Sequence, residues 1–399
     1  MKDMKILIIV NNDVDTDPRV LNQWEALKDH ASIYFMANSV KKIPCKGFFN
    51  FASLTRRYIF HYGYPFLIRK FLTLFILLYK AILRLIVRHK YKNLYQRRYW
   101  QDIRVNELNK IKNQYTFDCI IANDIDTLPI AAFLKKQNTK LIFDAHEYFL
   151  EENEASAWIE KEYPFRKYLI DEYLKCIDVF MTVGENIAMR FEKELQLIQK
   201  PLVIFNAKPY FDSPPSPTNP DIIRMVHHGV AIPNRNLESL IEVMRYLPSN
   251  YEIHFYLKVI DDNYAAALYS LARGVKNVFF HPPVPFSQII PTIAVYDIGL
   301  YLIEKNNYNN ANCLPNKVFE FIQAKLALIM SHTYEVEKLL KKYQNGVIVD
   351  GDVKNIAHTI KNITVQEIEQ YKKRSALAAK ELSAEAEWQK IRKIVGIKQ

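Results

Sequence analysis

Short apolar runs alternate with amphipathic stretches twice along these 399 residues, and a proline-dense break, Ser213–Pro220 (SPPSPTNP), separates the two series. Four prolines in eight residues can continue neither a helix nor a central strand, because proline fixes φ and lacks an amide donor. Before the break, Lys5–Asn11, Ile33–Ala37, Asp118–Ala122, Leu141–Asp144, Val179–Val183 and Leu202–Phe205 read as strands. Asp17–Lys28, a stretch near Thr127–Lys136 and Glu185–Glu194 read as helices between them. After the break, strands are predicted at Ile222–His228, Tyr251–Leu257, Val278–His281, Asp297–Leu302, Leu328–Ser331 and Val347–Val349. Helices Leu237–Tyr246, Tyr264–Arg273, Asn316–Ala324 and Tyr334–Tyr343 are interleaved with them. Strands this short and this apolar belong to parallel sheets covered on both faces. The expected architecture is α/β with two parallel-sheet halves: 1–206, a linker 207–220, 221–364, and C-terminal helices over 365–399.

Composition removes several function classes. Cys45, Cys119, Cys176 and Cys313 form no CxxC pair, against a zinc knuckle or a disulfide framework and in keeping with a reducing compartment. The nine glycines include no G-x-G and no GK[ST] loop, which argues against NAD-dependent dehydrogenases and P-loop NTPases. Ile6–Val10 is too short for a signal-peptide core and runs into Asn11, Asn12 and Asp13, so it reads as a first buried strand.

The net charge of +11 resides in one segment: Arg56–Arg104 holds 12 Lys/Arg against Asp102 alone, while the remaining 42 basic and 42 acidic residues cancel. Lys80, Arg84 and Arg88 recur every four residues, which lines them along one helical stripe beside Leu77, Leu78, Ile82, Leu85 and Ile86. The apolar run is too short to span a bilayer, so the segment reads as a membrane-surface helix, or as a buried helix with a solvated basic face. No nucleic-acid recognition fold accompanies the charge.

Leu314–Ser331 (LPNKVFEFIQAKLALIMS) combines a helix entrance at Pro315–Asn316, a cation at Lys317 and a carboxylate at Glu320. Free amides at a helix start favour a phosphate, Lys317 suits a departing diphosphate, and Glu320, three residues on, can accept both ribose hydroxyls. An amphipathic helix with a surface Lys–Glu pair has the same pattern. In Val226–Leu240 (VHHGVAIPNRNLESL), Gly229 permits a close backbone approach to phosphate and Arg235 can grip two phosphate oxygens. Lys140–Phe149 (KLIFDAHEYF) puts Asp144, His146 and Glu147 at a strand's carboxyl end, and Asn123, Asp124 and Asp126 end the preceding strand. In Asp15–Leu21 (DTDPRVL), Asp17 can cap a helix that Pro18 opens.

These motifs resemble GT-B glycosyltransferases, in particular the retaining family 4 of capsule, O-antigen and exopolysaccharide synthesis, over nearly the full length. The resemblance implies two Rossmann-like domains facing a cleft, the donor in the C-terminal one, the acceptor in the N-terminal one, and last helices that cross back. It implies Glu320 as the ribose ligand, Arg235 and Lys317 against the diphosphate, His146 at the reacting sugar, and Asp17, Asp124, Asp126, Asp144 and Glu147 on the acceptor side. The chain also departs from the family. Asn312 stands where the first of two glutamates eight apart is expected, with Glu304 as a candidate substitute. Val230 occupies the first basic position of the phosphate pair, and Ala324-Lys325-Leu326-Ala327 replaces Ala-Gly-x-Pro.

The expected activity is sugar transfer from a nucleotide-diphosphate donor to a lipid-linked or oligosaccharide acceptor, with retention, on the cytoplasmic face of an anionic membrane. No cofactor or metal is expected, since two cations and a helix terminus can handle the phosphates. The alternatives are a metal-dependent GT-A transferase, for which Asp15-Thr16-Asp17, Asp124-Ile125-Asp126 and Asp350-Gly351-Asp352 all satisfy D-x-D, and a catalytically silent, membrane-bound partner of a polysaccharide assembly complex.

Overall fold

β1 (Lys5–Ile9) carries Ile6, Leu7, Ile8 and Ile9 with no exposed surface, so both of its faces are covered, as the unbroken apolar run demands. It is central in a parallel sheet with β2 (Ser32–Ala37), β3 (Gly47–Asn50), β4 (Cys119–Asn123), β5 (Lys140–Ala145), β6 (Val179–Thr182) and β7 (Leu202–Val203), in the order β3-β2-β1-β4-β5-β6-β7. Ile8 lies in register between Phe35 and Ile121. The computed structural model describes residues 4–54, 92–153 and 155–397. Lys80, Arg84 and Arg88, proposed for a membrane surface, lie outside them.

A second parallel sheet follows: β8 (Ile223–Ala231), β9 (Tyr251–Val259), β10 (Val278–His281), β11 (Ile298–Tyr301), β12 (Ala327–Ser331) and β13 (Gly346–Val349), ordered β10-β9-β8-β11-β12-β13. In each sheet the first strand is internal and the chain builds outward to one side before jumping to the other. That jump leaves a switch point between β1 and β4, and another between β8 and β11, where α/β sheets hold ligands beyond the strands' carboxyl ends. Helix Asn316–Gln323 packs tightly on β11, because a Cβ at Gly299 would sit 2.3 Å from the Phe321 ring. Val318, Phe319, Phe321 and Ile322 are all buried there.

The chain divides into one unit of 1–183, 187–204 and 388–399 and another of 184–186 and 205–387. The stretch expected as a linker, 207–220, belongs to the second unit and is pinned to it: Phe211 N donates to Gln323 Oε1 at 3.1 Å and Thr218 N to Glu369 Oε1 at 2.6 Å. Helix Val365–Glu381 starts with a Thr364–Glu367 capping box, and its buried Lys372 pairs with buried Asp297 at 3.0 Å. Helix Ala384–Val395 carries the chain back to the first unit from Trp388 onward. Sequence reading missed β3 and helix Ser156–Tyr173: β3 has only four residues, and the helix, with Pro164 inside it, has a weak apolar stripe.

The described end of the basic segment is part of the first unit. Helix Lys92–Trp100 buries Tyr95, and Arg98 bonds both Glu162 oxygens (2.8 and 2.6 Å) while lying 3.8 Å over Phe165. These contacts pack this portion against helix Ser156–Tyr173. Among the described residues, no helix is long and apolar enough to cross a membrane.

Candidate active site

The carboxyl-terminal end of β8 brings its backbone toward the helix entrance. Gly229 has φ +136°, a value L residues rarely adopt, and a Cβ there would stand 3.0 Å from Lys317 Nζ. Lys317, the second residue of helix Asn316–Gln323, thus reaches across to the strand end next to Val230, the position that lacks the expected basic residue. No side chain caps this helix; its N-cap is Pro315. Arg235, in the single turn Pro233–Arg235 after β8, donates to the Tyr301 hydroxyl at the end of β11 (3.3 Å). Lys317 Nζ lies 5.0 Å from the centre of the same Tyr301 ring. Gly229, Arg235 and Lys317 therefore meet at the switch point of the second sheet.

Glu320, one helical turn beyond Lys317, is 4 % exposed. Its Oε1 is 3.6 Å from Lys208 Nζ and its Oε2 3.3 Å from His228 Nε2. Burial alone raises a carboxyl's pKa, but the close His228 contact and the charges of Lys208 and Lys317 outweigh it and hold Glu320 at about 2. Lys317 is lowered to about 8, chiefly by burial; Glu320 opposes the shift, while Arg235 and Lys208 add to it. Burial also lowers Lys208, with Glu320 opposing. His227, fixed by Leu300 O (3.0 Å) and stacked on Tyr301, is held well below the usual histidine range by burial and by Lys317, so it is neutral. Lys208, His228 and Tyr301 escaped sequence reading. Lys208 lay in the stretch taken for a linker, the histidines read as strand-end residues, and an aromatic ending a strand carries no signal.

Two expected donor contacts make no hydrogen bond or ion pair with this cluster among the described residues. Asn312 is buried with its amide committed: Oδ1 accepts from Asn186 (2.9 Å) and Nδ2 donates to Tyr308 O (2.9 Å). Glu304 is exposed on the loop after β11, and no hydrogen bond or ion pair engages it among the described residues.

At the first unit's switch point, Asn11, Asp124, Asp126 and His146 follow the ends of β1, β4 and β5. His146 Nε2 is 2.9 Å from Asn123 Oδ1, its Nδ1 is 3.3 Å from Asp124 Oδ2, and its amide donates to Asp124 Oδ1 (3.0 Å). Asp124 sits at φ +63°, so the turn that aims it is strained. Burial raises Asp126 to about 6 despite a bond from Asn11 (2.7 Å). Burial raises Glu147 to about 7, with Glu152 and Asp124 adding to it. Two expected acceptor-side residues have other duties. Asp144 is fully buried and held by Arg19 (2.8 Å to each oxygen) and Gln23 (2.7 Å), leaving no face for a ligand. Asp17 caps helix Pro18–Leu27 by accepting from Arg19 N and Val20 N.

A cavity of about 870 Å³ opens beside this cluster, lined in part by Asn11, Asn38 and Asn50, which follow or end β1, β2 and β3, and by Asp126, Arg104, Tyr99 and Phe165. The D-x-D pairs are otherwise engaged. Asp15 accepts from Lys41 N and Lys42 N, Asp352 caps helix Val353–Lys361, and Asp350 accepts from Gly351 N.

No family model matches the chain, and no curated protein does. Solved structures do match over nearly its full length. Anabaena HepE in complex with UDP superposes with TM-score 0.69 at 12% identity, covering 98% of this chain and 99% of that one. An E. coli trehalose-6-phosphate structure bound with UDP-2-fluoro glucose gives 0.65 at 12%, covering 98% of each chain. The UDP-forming α,α-trehalose-phosphate synthase of Burkholderia xenovorans, in complex with glucose-6-phosphate, gives 0.63 at 11%, covering 98% and 99%. The likeness is one of fold: the chain has the GT-B fold, two parallel-sheet domains with interleaved helices. The GT-A alternative falls with that finding.

Proposed function

We propose that this protein is a glycosyltransferase that moves a sugar from a nucleoside-diphosphate donor held by the second unit to a saccharide acceptor held by the first. The observation that carries the reading is a charge imbalance: Arg235, Lys317 and Lys208 gather around one carboxylate, Glu320, at the β8/β11 switch point. Buried like charges are costly, and a diphosphate is the ligand that balances them. The GT-B neighbours bound to UDP or UDP-glucose support the same class.

In the reaction, the bond between the sugar's anomeric carbon and the diphosphate oxygen breaks with its electron pair on the oxygen. Arg235, Lys317 and the uncapped helix start stabilise that developing charge. The acceptor hydroxyl oxygen bonds to the same carbon, its proton passing to the departing diphosphate, with retention of configuration. Glu320 receives the ribose hydroxyls. These cations supply what a metal supplies elsewhere, so the reading requires no metal. The cavity beside Asn11 and Asp126 suits the acceptor, because amides, acids and a tyrosine ring match a saccharide's hydroxyls and faces. The basic 56–104 segment, by its charge, favours a lipid-linked acceptor on the inner face of an anionic membrane, as in bacterial surface polysaccharide synthesis.

The test is a panel of nucleotide sugars scored by thermal stabilisation, then transfer assays with the stabilising donor. Binding with turnover supports the proposal; no stabilisation by any donor overturns it. The committed amide of Asn312 favours a second reading, a silent partner, which binding without turnover or donor hydrolysis selects. Sedimentation with anionic and neutral vesicles tests the membrane arm, whose binding should weaken as salt rises.

A further inference from the structure

A buried ammonium is the strongest unexplained feature of the second unit. Lys208 is 3 % exposed, its Nζ 4.6 Å from the centre of the Phe286 ring, and its one anionic neighbour among the described residues is Glu320, which His228 Nε2 approaches from the other oxygen. The backbone around Lys208 is fixed from several directions. Asn206 bonds Asn316 (2.8 Å), Phe211 bonds Gln323 (3.1 Å), and Lys208 O accepts from Ala384 N (2.8 Å). That anchoring keeps Lys208 beside Glu320, its Nζ 3.6 Å from Oε1. His228 Nε2 stands 3.3 Å from the other oxygen. The carboxylate is flanked by two nitrogen groups, one at each oxygen, and each oxygen keeps a further lone pair for a ligand.

We propose that Lys208 and His228 are positioning residues that hold the Glu320 carboxylate from ion-pair distance and leave both oxygens to a ligand carrying two vicinal hydroxyls. A carboxylate so arranged binds a cis-diol through two parallel bonds and gains nothing from a phosphate, which it repels. The inference rests on the nucleoside-diphosphate reading above and deepens it: Lys208 serves the ribose, while Arg235 and Lys317 serve the diphosphate. The charged or titratable groups facing Glu320 are Lys208 from the 205–211 strap, His228 from β8 and Lys317 from its own helix.

The experiment compares wild type, Lys208→Met and Lys208→Arg by calorimetry. The ligands are the tightest binder among UDP, ADP, GDP and CDP, its 2′-deoxy form, and pyrophosphate. A neutral donor's bond to a charged acceptor is worth about tenfold or more in affinity, so wild type should prefer the ribonucleotide by at least about tenfold. Lys208→Met should cut that preference at least about threefold at pH 7 and abolish it toward pH 5, where wild type stays flat. Pyrophosphate affinity should remain within about twofold, and Lys208→Arg should recover most of the preference. Melting of the apo variants verifies folding; the methionine fills a similar volume without a buried charge. A loss of pyrophosphate affinity with the ribose preference intact makes Lys208 a phosphate cation and overturns the inference. An unchanged preference with only a lowered melting point makes it a strut and does the same. If wild type binds none of the four nucleotides, the donor reading itself has failed, an outcome distinct from both.

Discussion

The two units share one topology and place polar residues at the same switch point, yet their clusters are electrostatically opposite. In the first unit the best-buried acids are met from within, Asp144 by Arg19 and Gln23 and Asp124 by His146, while Asp126 takes a bond from Asn11 and burial shifts it and Glu147 toward their neutral forms. In the second, three cations gather near one carboxylate, and among the described residues only neutral tyrosine and phenylalanine groups meet the excess. A self-paired cluster stabilises its fold and sets geometry. An unbalanced cluster stores an unfavourable energy that a ligand of opposite sign relieves.

The largest break in that comparison should come from Asp144→Ala, which strands Arg19 in a fully buried setting. Removing one partner of a buried pair costs about 3–5 kcal/mol. Chemical denaturation should register it, whereas Lys317→Ala should leave stability unchanged or raise it. Equal losses for both variants would remove the distinction between paired and unpaired clusters.

Next in size is His146→Ala. A positioned acid, base or hydrogen-bond donor at a reacting centre contributes about a hundredfold or more to turnover. Transfer should fall by that order while nucleotide affinity stays put, because His146 belongs to the first unit and the proposed nucleotide to the second. Near-normal transfer, or nucleotide binding lost with the fold intact, rejects the division of labour.

Lys317→Ala should then weaken nucleoside-diphosphate binding by about tenfold or more, since a hydrogen bond to a charged phosphate is worth about 1.5–3 kcal/mol. Calorimetry showing unchanged affinity would take Lys317 out of the site.

The smallest effect sharpens the same point through pH. Lys317 is held at about 8 in the free protein, below the usual lysine value, and a bound anion favours its charged form. Binding therefore takes up a proton near pH 8. Affinity should be full below 8 and fall as pH rises through it, about fivefold between pH 8 and 9. Stability of the free protein should move the opposite way. With the folded pKa below the unfolded one, the unfolded chain holds more protons between about 8 and 10.5, so this lysine's contribution to stability grows with pH there. Titrations in buffers of different ionisation enthalpy measure the uptake directly, and none at pH 8 would place the free Lys317 pKa elsewhere.

Much of this was legible in the residues. Alternating apolar and amphipathic runs determined both parallel sheets, because period and length are local properties that survive any tertiary context. Asp17 before Pro18 announced a capped helix, and three-residue spacing put Lys317 and Glu320 on one helical face beside an uncapped start. What only the tertiary structure decided was who stands next to whom. It gave Asp144 to Arg19, closed the amide of Asn312 on Asn186 and Tyr308, and left Glu304 exposed. It also brought Lys208, from a stretch that reads as linker, against a carboxylate far along the chain. Pairing and burial are long-range consequences of crossovers between strands, and a charged residue's type says nothing about which partner, or none, the fold will bring to it.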